Sequence, residues 1–104
     1  MNETDRELLA WAAKAAGLQI DHGVKIASGH LLVMCEGTPS FWNPIGDDGD
    51  ALRLAVRLNI PVFPYEDETS TGTIGVRAKN WGSKEANTRR AIVRAAAEIG
   101  RNMK

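Results

Sequence analysis

Three aspartates, Asp47, Asp48 and Asp50, lie close together in the middle of the chain. Carboxylate oxygens are the ligands that hard divalent cations prefer. An EF-hand loop ends in a glutamate at its twelfth position, however, and that position counted from Asp47 is Leu58. Carboxylates that precede a helix also accept hydrogen bonds from its free N–H groups and interact favourably with its dipole. The sequence therefore predicts helix capping here and no metal site.

The side chains of His22, His30 and Cys35 are the other candidates for metal or nucleophilic chemistry. A structural zinc site needs four ligands, and the compact paired spacings typical of such sites are absent. Cys35 follows an apolar stretch, where a lone thiol usually packs as a small hydrophobic side chain. The glycine spacing matches neither a dinucleotide fingerprint nor a phosphate loop. The sequence thus predicts no cofactor and no enzymatic activity.

The C-terminal part of the chain is basic, although the whole chain has no net charge. Residues 77–104 carry eight basic and two acidic side chains, whereas residues 1–50 carry three basic and eight acidic ones. Basic side chains near Trp81 can contact phosphates while the indole stacks on a base. The candidate nucleic-acid-binding residues are Arg77, Lys79, Arg89, Arg90, Arg94 and Arg101.

The same arginines also have a structural interpretation. Glu85 with Arg89, and Arg94 with Glu98, are four residues apart, and Glu98 is three residues from Arg101. Pairs at these spacings interact along a helix, so the alternative is a solvated, salt-bridged helix whose arginines face away from the core. A further use of the charge asymmetry is self-association, in which acidic and basic faces meet in a homodimer.

The chain contains three tryptophans in 104 residues. Trp11 lies on the apolar stripe of a predicted helix and is expected in the core. Trp42 and Trp81 stand where strands give way to loops before a helix, where such side chains either cover the core or anchor an interface. The candidate partner-contacting residues are Phe41, Trp42, Tyr65 and Trp81.

Length and composition limit the class of protein. Hydrophobic residues make up 43% and charged residues 25%, as in soluble folded proteins, and the length suits one domain over residues 1–104. The longest apolar run, Leu8 to Ala13, is six residues long, so no membrane span is expected. The lone cysteine and the absence of a signal-peptide pattern favour a cytoplasmic location.

Three helices are predicted to position these residues. The first covers about residues 4–16, because Thr4 and Glu7 form a capping-box pattern and Gly17 supplies a left-handed end. The third begins after Ser83, a typical N-cap residue.

The second predicted helix contains only two polar residues, Arg53 and Arg57, within 51–58. A helix that is apolar over most of its circumference is mostly buried, so this helix is predicted to be central. The residues expected in the core on this basis are Leu52, Ala55, Val56, Ile92 and Ile99.

The segments between the helices have the alternation and turn residues of strands. Two or three antiparallel strands are predicted within residues 18–35, including one at 24–26. A less regular hairpin is predicted at 61–66 and 72–79, with Glu66–Gly72 as an exposed connection. The order α-ββ-α-ββ-α predicts an α+β fold, in which a small antiparallel sheet from two hairpins packs with three helices.

Two segments, 42–58 and 88–100, resemble a family of small uncharacterised proteins of tailed bacteriophages and prophages, the phage ABA-sandwich domain. Together with Glu7, Leu8 and Leu9 in the leading helix, they keep the order of that family along most of the chain. Residues 59–83 lie outside this resemblance. The resemblance implies a phage source and a fold, and it transfers no catalytic or ligand residue.

Small phage accessory proteins often act on host proteins, which sets the leading functional hypothesis. The chain is expected to bind a host protein in the host bacterial cytoplasm, in host takeover or anti-defence. The first alternative is nucleic-acid binding through residues 77–104. The second alternative is an oligomeric protein that sequesters a small nucleotide.

Overall fold

The computed structural model describes residues 4–20, 31–35, 38–72 and 76–103. Three helices alternate with two groups of strands, which confirms the predicted α+β class. Each group has three strands where the predicted order α-ββ-α-ββ-α has two, and the two groups form separate antiparallel sheets. The elements are α1 (Asp5–Ala16), β1 (Gln19–Ile20), β2 (Leu31–Cys35), β3 (Thr38–Trp42), α2 (Asp48–Leu58), β4 (Val62–Pro64), β5 (Glu68–Thr71), β6 (Arg77–Lys79) and α3 (Lys84–Arg101).

The ends of α1 follow from local sequence. The Thr4 hydroxyl accepts a hydrogen bond from the Glu7 amide at 3.2 Å, and the Glu7 carboxylate accepts one from the Thr4 amide at 3.1 Å. This reciprocal pair satisfies amide groups that have no partner inside the helix. Gly17 ends the helix with a φ of 73°, a left-handed conformation that glycine adopts without steric cost. Both features confirm the prediction.

The other two helices begin at the predicted caps. The carboxylate of Asp47 accepts a hydrogen bond from the Asp50 amide at 2.8 Å, and the Ser83 hydroxyl accepts one from the Ala86 amide at 3.0 Å. Helix α2 ends at Asn59, which has a φ of 55°. Asparagine is among the few residues other than glycine that occupy this region readily.

The first sheet has the strand order β1-β2-β3, and both pairs are antiparallel. Gln19 lies opposite Met34, and Cys35 lies opposite Thr38. This agrees with the antiparallel strands predicted around residues 18–35. The strand predicted at 24–26 lies outside the described residues.

The second sheet corrects the prediction for residues 61–79. It has three antiparallel strands in the order β4-β5-β6, and β5 occupies part of the stretch that was expected to be an exposed connection. Thr69 of this strand is fully buried. Its hydroxyl forms a hydrogen bond with the Thr88 hydroxyl at 2.9 Å, so a polar strand can face the helices without leaving a buried hydroxyl unpaired.

The core is centred on α1 and α3, which pack through small side chains. Ala12 and Ala13 of α1 and Ala95 and Ala96 of α3 are completely buried. A Cβ atom on Gly100 would lie 1.9 Å from the Trp11 carbonyl oxygen. The backbones of the two helices therefore approach closely at this point. No helix in the described part of the chain is long and apolar enough to cross a membrane.

Several burial predictions need correction. Ala55 and Ile92 are buried and Ile99 is partly buried, but Leu52 and Val56 are exposed, so α2 is not enclosed by the fold. A further set of positions also differs from expectation: Trp11 is only partly buried, and Arg90, which was expected on an outer face, is buried.

Candidate protein-binding surface

Helix α2 has an apolar outer face. Ala51, Leu54 and Ala55 face the core, while Leu52 and Val56 lie one turn apart on the solvent side. These two residues keep 63% and 67% of their surface exposed. The outer face therefore carries two large apolar side chains that nothing in the described chain covers.

Strand β3 brings an aromatic side chain to the same surface. Successive residues of a strand point to opposite faces, so Trp42 is buried whereas Phe41 is 66% exposed. Phe41 lines a groove of about 640 Å³ together with Leu52 and Val56 of α2. Other apolar residues lining this groove are Ala16, Leu18, Val33, Trp42 and Leu54.

Two arginines line the same groove. Arg53 and Arg57 are exposed and lie one turn apart on α2. Arg53 forms an ion pair with Asp50 at 2.6 Å, and the second oxygen of that carboxylate accepts a hydrogen bond from the Asn43 amide at 2.9 Å. Arg57 has no hydrogen-bond or ion-pair partner among the residues that the structure describes. The groove thus combines an apolar lining with excess positive charge.

A smaller hollow lies on the other side of Leu52. It has a volume of about 380 Å³ and lies between α2 and α3. Ala51, Leu52, Pro64 and Ile92 form its apolar lining. Leu52 lines both the groove and this hollow, so it separates two concave, mainly apolar surfaces.

The predicted partner-contacting residues occupy different places. Phe41 and Trp42 both line the groove, Phe41 as an exposed side chain and Trp42 as part of the core. Tyr65 is 60% exposed and lies apart from the groove, in the turn that follows β4. Trp81 packs on α3. The structure therefore brings together only Phe41 and Trp42 of this set.

Trp81 covers arginine side chains of α3. The guanidinium carbons of Arg90 and Arg94 lie 3.8 Å and 5.6 Å from the centre of its ring. Asn80 and Gly82, on either side of it, have φ values of 66° and 106°. Two left-handed residues form the tight turn that returns the indole to the helix. Trp81 therefore lies over two arginines, remains 41% exposed and is not part of the described hydrophobic core.

Two of the predicted nucleic-acid-binding arginines are held by the fold. Arg90 forms an ion pair with Asp5. Arg89 donates hydrogen bonds to the Ile45 carbonyl at 2.7 Å and to the Asp48 carboxylate at 2.6 Å. These contacts connect α3 with α1 and with the start of α2. Arg89 thus pairs with Asp48 and not with Glu85, the partner expected within the helix.

The remaining basic candidates lie nearer the solvent. Arg94 donates a hydrogen bond to the Arg77 carbonyl at 3.1 Å. Arg101 forms the predicted pair with Glu98, at 3.5 Å. Arg77 and Lys79 are exposed on β6, on either side of a buried alanine.

The aspartates at the N-terminus of α2 all have structural roles. Asp47 caps the helix, Asp48 binds Arg89, and Asp50 binds Arg53 and the Asn43 amide. Within residues 4–20, 31–35, 38–72 and 76–103, no three acidic, histidine or cysteine side chains are grouped as metal ligands would be. His22 and His30 lie outside the described residues, and for Cys35 the structure describes only the backbone.

Sequence reasoning missed Leu52, Val56 and Arg57 as surface residues. The small residues Ala51 and Ala55 could have indicated the buried face of α2, because small side chains allow a helix to pack closely on that side. Comparison with known proteins adds no further assignment: the chain matches no family model, no curated protein and no solved structure.

Proposed function

We propose that this protein acts by binding another protein chain through the groove beside α2. The observation that carries the proposal is that Phe41, Leu52 and Val56, each about two-thirds exposed, line one groove. Large apolar side chains grouped at a concave surface are typical of protein-binding sites, because their burial supplies most of the binding energy.

The charge of the groove defines the chemistry of the partner. Arg53 and Arg57 lie on its border, and Asp50 balances only one of them. A partner segment with an apolar anchor and adjacent carboxylates would bury the anchor and pair with the free guanidinium. The resemblance to phage proteins makes a host protein of the bacterial cytoplasm the expected partner, and a non-enzymatic role in host takeover or anti-defence the expected setting.

The test is binding to an identified partner. The tagged chain is used to capture host proteins, and the affinity of each purified candidate is then measured for wild type, Leu52→Glu, Val56→Glu and Phe63→Glu. Phe63 is a matched control, because it is exposed but lies outside the groove. We expect the two groove variants to weaken binding at least about tenfold, as for loss of an interface anchor, and the control to bind normally. Equal affinity of all four proteins would contradict the proposal.

The outer face of the second sheet favours a second candidate function, binding of single-stranded nucleic acid. Phe63 lies opposite Ser70, and Ser70 lies opposite Arg77, so the three residues form a row across the sheet. Phe63, Arg77 and Lys79 are exposed. An aromatic residue beside basic ones on a sheet face is suited to stacking on a base while contacting phosphates.

Fluorescence anisotropy with a labelled oligonucleotide separates this candidate from the first. Binding that falls with salt and is weakened by Phe63→Ala and Arg77→Glu, but not by Leu52→Glu, would support it. Absence of binding at low salt would remove it.

A further inference from the structure

We infer that the groove beside α2 receives the turn between β4 and β5 of a second copy of this chain. The inference rests on the proposed function, since it names one partner for the same groove. This turn comprises residues Tyr65–Glu68 and is closed by a hydrogen bond from the Tyr65 amide to the Glu68 carbonyl at 2.9 Å. It presents an aromatic ring next to carboxylates, which complements a groove with an apolar lining and two arginines.

The side chains of the turn are available for contact. Tyr65 is 60% exposed, and Glu66 and Asp67 are exposed as well. Glu66 makes a single long ion pair, 4.0 Å from Lys84, in which its own side chain remains 90% exposed. Such a pair contributes little stability, so both carboxylates can turn to a new partner at small cost.

The groove and the turn match in both apolar character and charge. Phe41, Leu52 and Val56 offer an apolar surface for the Tyr65 ring. Arg53 and Arg57 would then stand next to the carboxylates of the turn. Tyrosine and arginine are enriched among the residues that dominate binding energy, because each buries a large area and retains a polar group for pairing.

The contact must form between molecules. In the structure Tyr65 lines a different hollow, with Glu66, Asp67, Glu68 and Lys79, and none of these residues lines the groove. Groove and turn are different surfaces of one chain. Two copies can therefore exchange turns about a two-fold axis, or successive copies can add head to tail.

Sedimentation velocity over a range of concentrations tests the inference with the purified full chain. We expect wild type to associate reversibly. Arg57→Glu alone places a carboxylate opposite the acidic turn, and the double variant Glu66→Lys/Asp67→Lys places ammonium groups opposite the arginines. Each variant is expected to associate at least about tenfold more weakly than wild type, because like charges then meet in the contact.

Mixing the two variants provides the sharpest test. In the mixture, the groove altered by Arg57→Glu can receive the basic turn of the double variant. The unchanged groove of the double variant can receive the unchanged acidic turn of the other protein. Association is therefore expected to return only when the variants are mixed. Arg6→Glu, which reverses a charge on an exposed position of α1, is the matched control and is expected to associate like wild type.

Two results would overturn the inference: wild type that stays monomeric up to about 1 mM, or variants whose association is not restored by mixing. Thermal melting of each variant excludes unfolding as the cause. A monomeric wild type whose affinity for an identified host protein still depends on Leu52 would remove the second copy as partner and leave the proposed function standing. Self-association that is restored by mixing, without host-protein binding, would support the inference and reject a host partner.

Discussion

The guanidinium carbon of Arg90 lies 3.8 Å from the centre of the Trp81 ring. The same guanidinium pairs with Asp5, and the Trp81 amide donates a hydrogen bond to the Asn87 side-chain oxygen at 2.9 Å. The indole thus covers a buried arginine that joins the first and last helices. Both the backbone amide and the ring of Trp81 hold it against α3.

Replacing Trp81 is therefore expected to lower stability. Trp81→Ala removes the ring and exposes the arginine below it, which should reduce the free energy of unfolding by about 1–2 kcal/mol in a urea titration. Trp81→Phe keeps an aromatic face and should lose less. An alanine variant as stable as wild type would show that the stacking contributes nothing.

Two glycine-to-alanine changes are expected to have opposite effects. At Gly100 the new Cβ would meet the Trp11 carbonyl, so α1 and α3 would have to separate, at a cost of about 1–3 kcal/mol. At Gly49 it would meet the ends of the Arg53 and Asp47 side chains, at 3.2 Å and 3.3 Å. The end of Arg53 can move away, and the Asp47 oxygen needs to shift by only a few tenths of an ångström while it still caps the helix. The helix would therefore gain about 0.3 kcal/mol, less than at an interior position. Chemical denaturation of both variants measures the difference, and equal effects would contradict the close helix approach.

The aspartates at the N-terminus of α2 are expected to contribute through capping and ion pairing. Asp47→Ala removes the acceptor for the Asp50 amide and should cost about 1 kcal/mol of stability. Asp48→Ala breaks an ion pair whose carboxylate is exposed, and should cost about 0.5 kcal/mol. Thermal melts with and without Mg²⁺ or Ca²⁺ complete the test. A cation-dependent rise in melting temperature that disappears in these variants would instead indicate a metal site.

Charged substitutions along α2 should reveal its two faces. Leu52→Glu and Val56→Glu are expected to change the free energy of unfolding by no more than about 0.5 kcal/mol, because both residues are exposed. Leu54→Glu would bury a carboxylate in the core and should cost about 3 kcal/mol or more. Circular dichroism during urea unfolding measures all three. Equal losses of stability at the three positions would contradict the exposed face and support the mostly buried helix that the sequence predicts.

The sequence predicted features that depend on neighbouring residues. The capping box at Thr4, the left-handed end at Gly17 and the caps at Asp47 and Ser83 each involve groups within a few positions of one another. Their hydrogen bonds form wherever the helix lies in the molecule, which is why local spacing was sufficient.

Features that depend on distant parts of the chain were predicted less well. Arg90 is buried where it contacts Asp5 and Trp81, which are distant from each other in the sequence. No local sequence pattern indicates these contacts. Strand β5 is polar, so its burial depends on Thr88 supplying a hydrogen-bond partner. The sequence does not predict the groove, because hydrophobicity alone places Leu52 in the core. Which face of a helix is buried depends on the elements that pack against it.

The pairing of α1 with α3 has a consequence for how the chain is made. Asp5 and Arg90 are separated by 85 positions, and α1 packs mainly against α3. A helix as short as α1 is marginal in isolation. During synthesis α1 therefore remains without its main packing partner until the intervening strands, α2 and α3 have left the ribosome. Forming contacts between such distant parts of the chain slows folding.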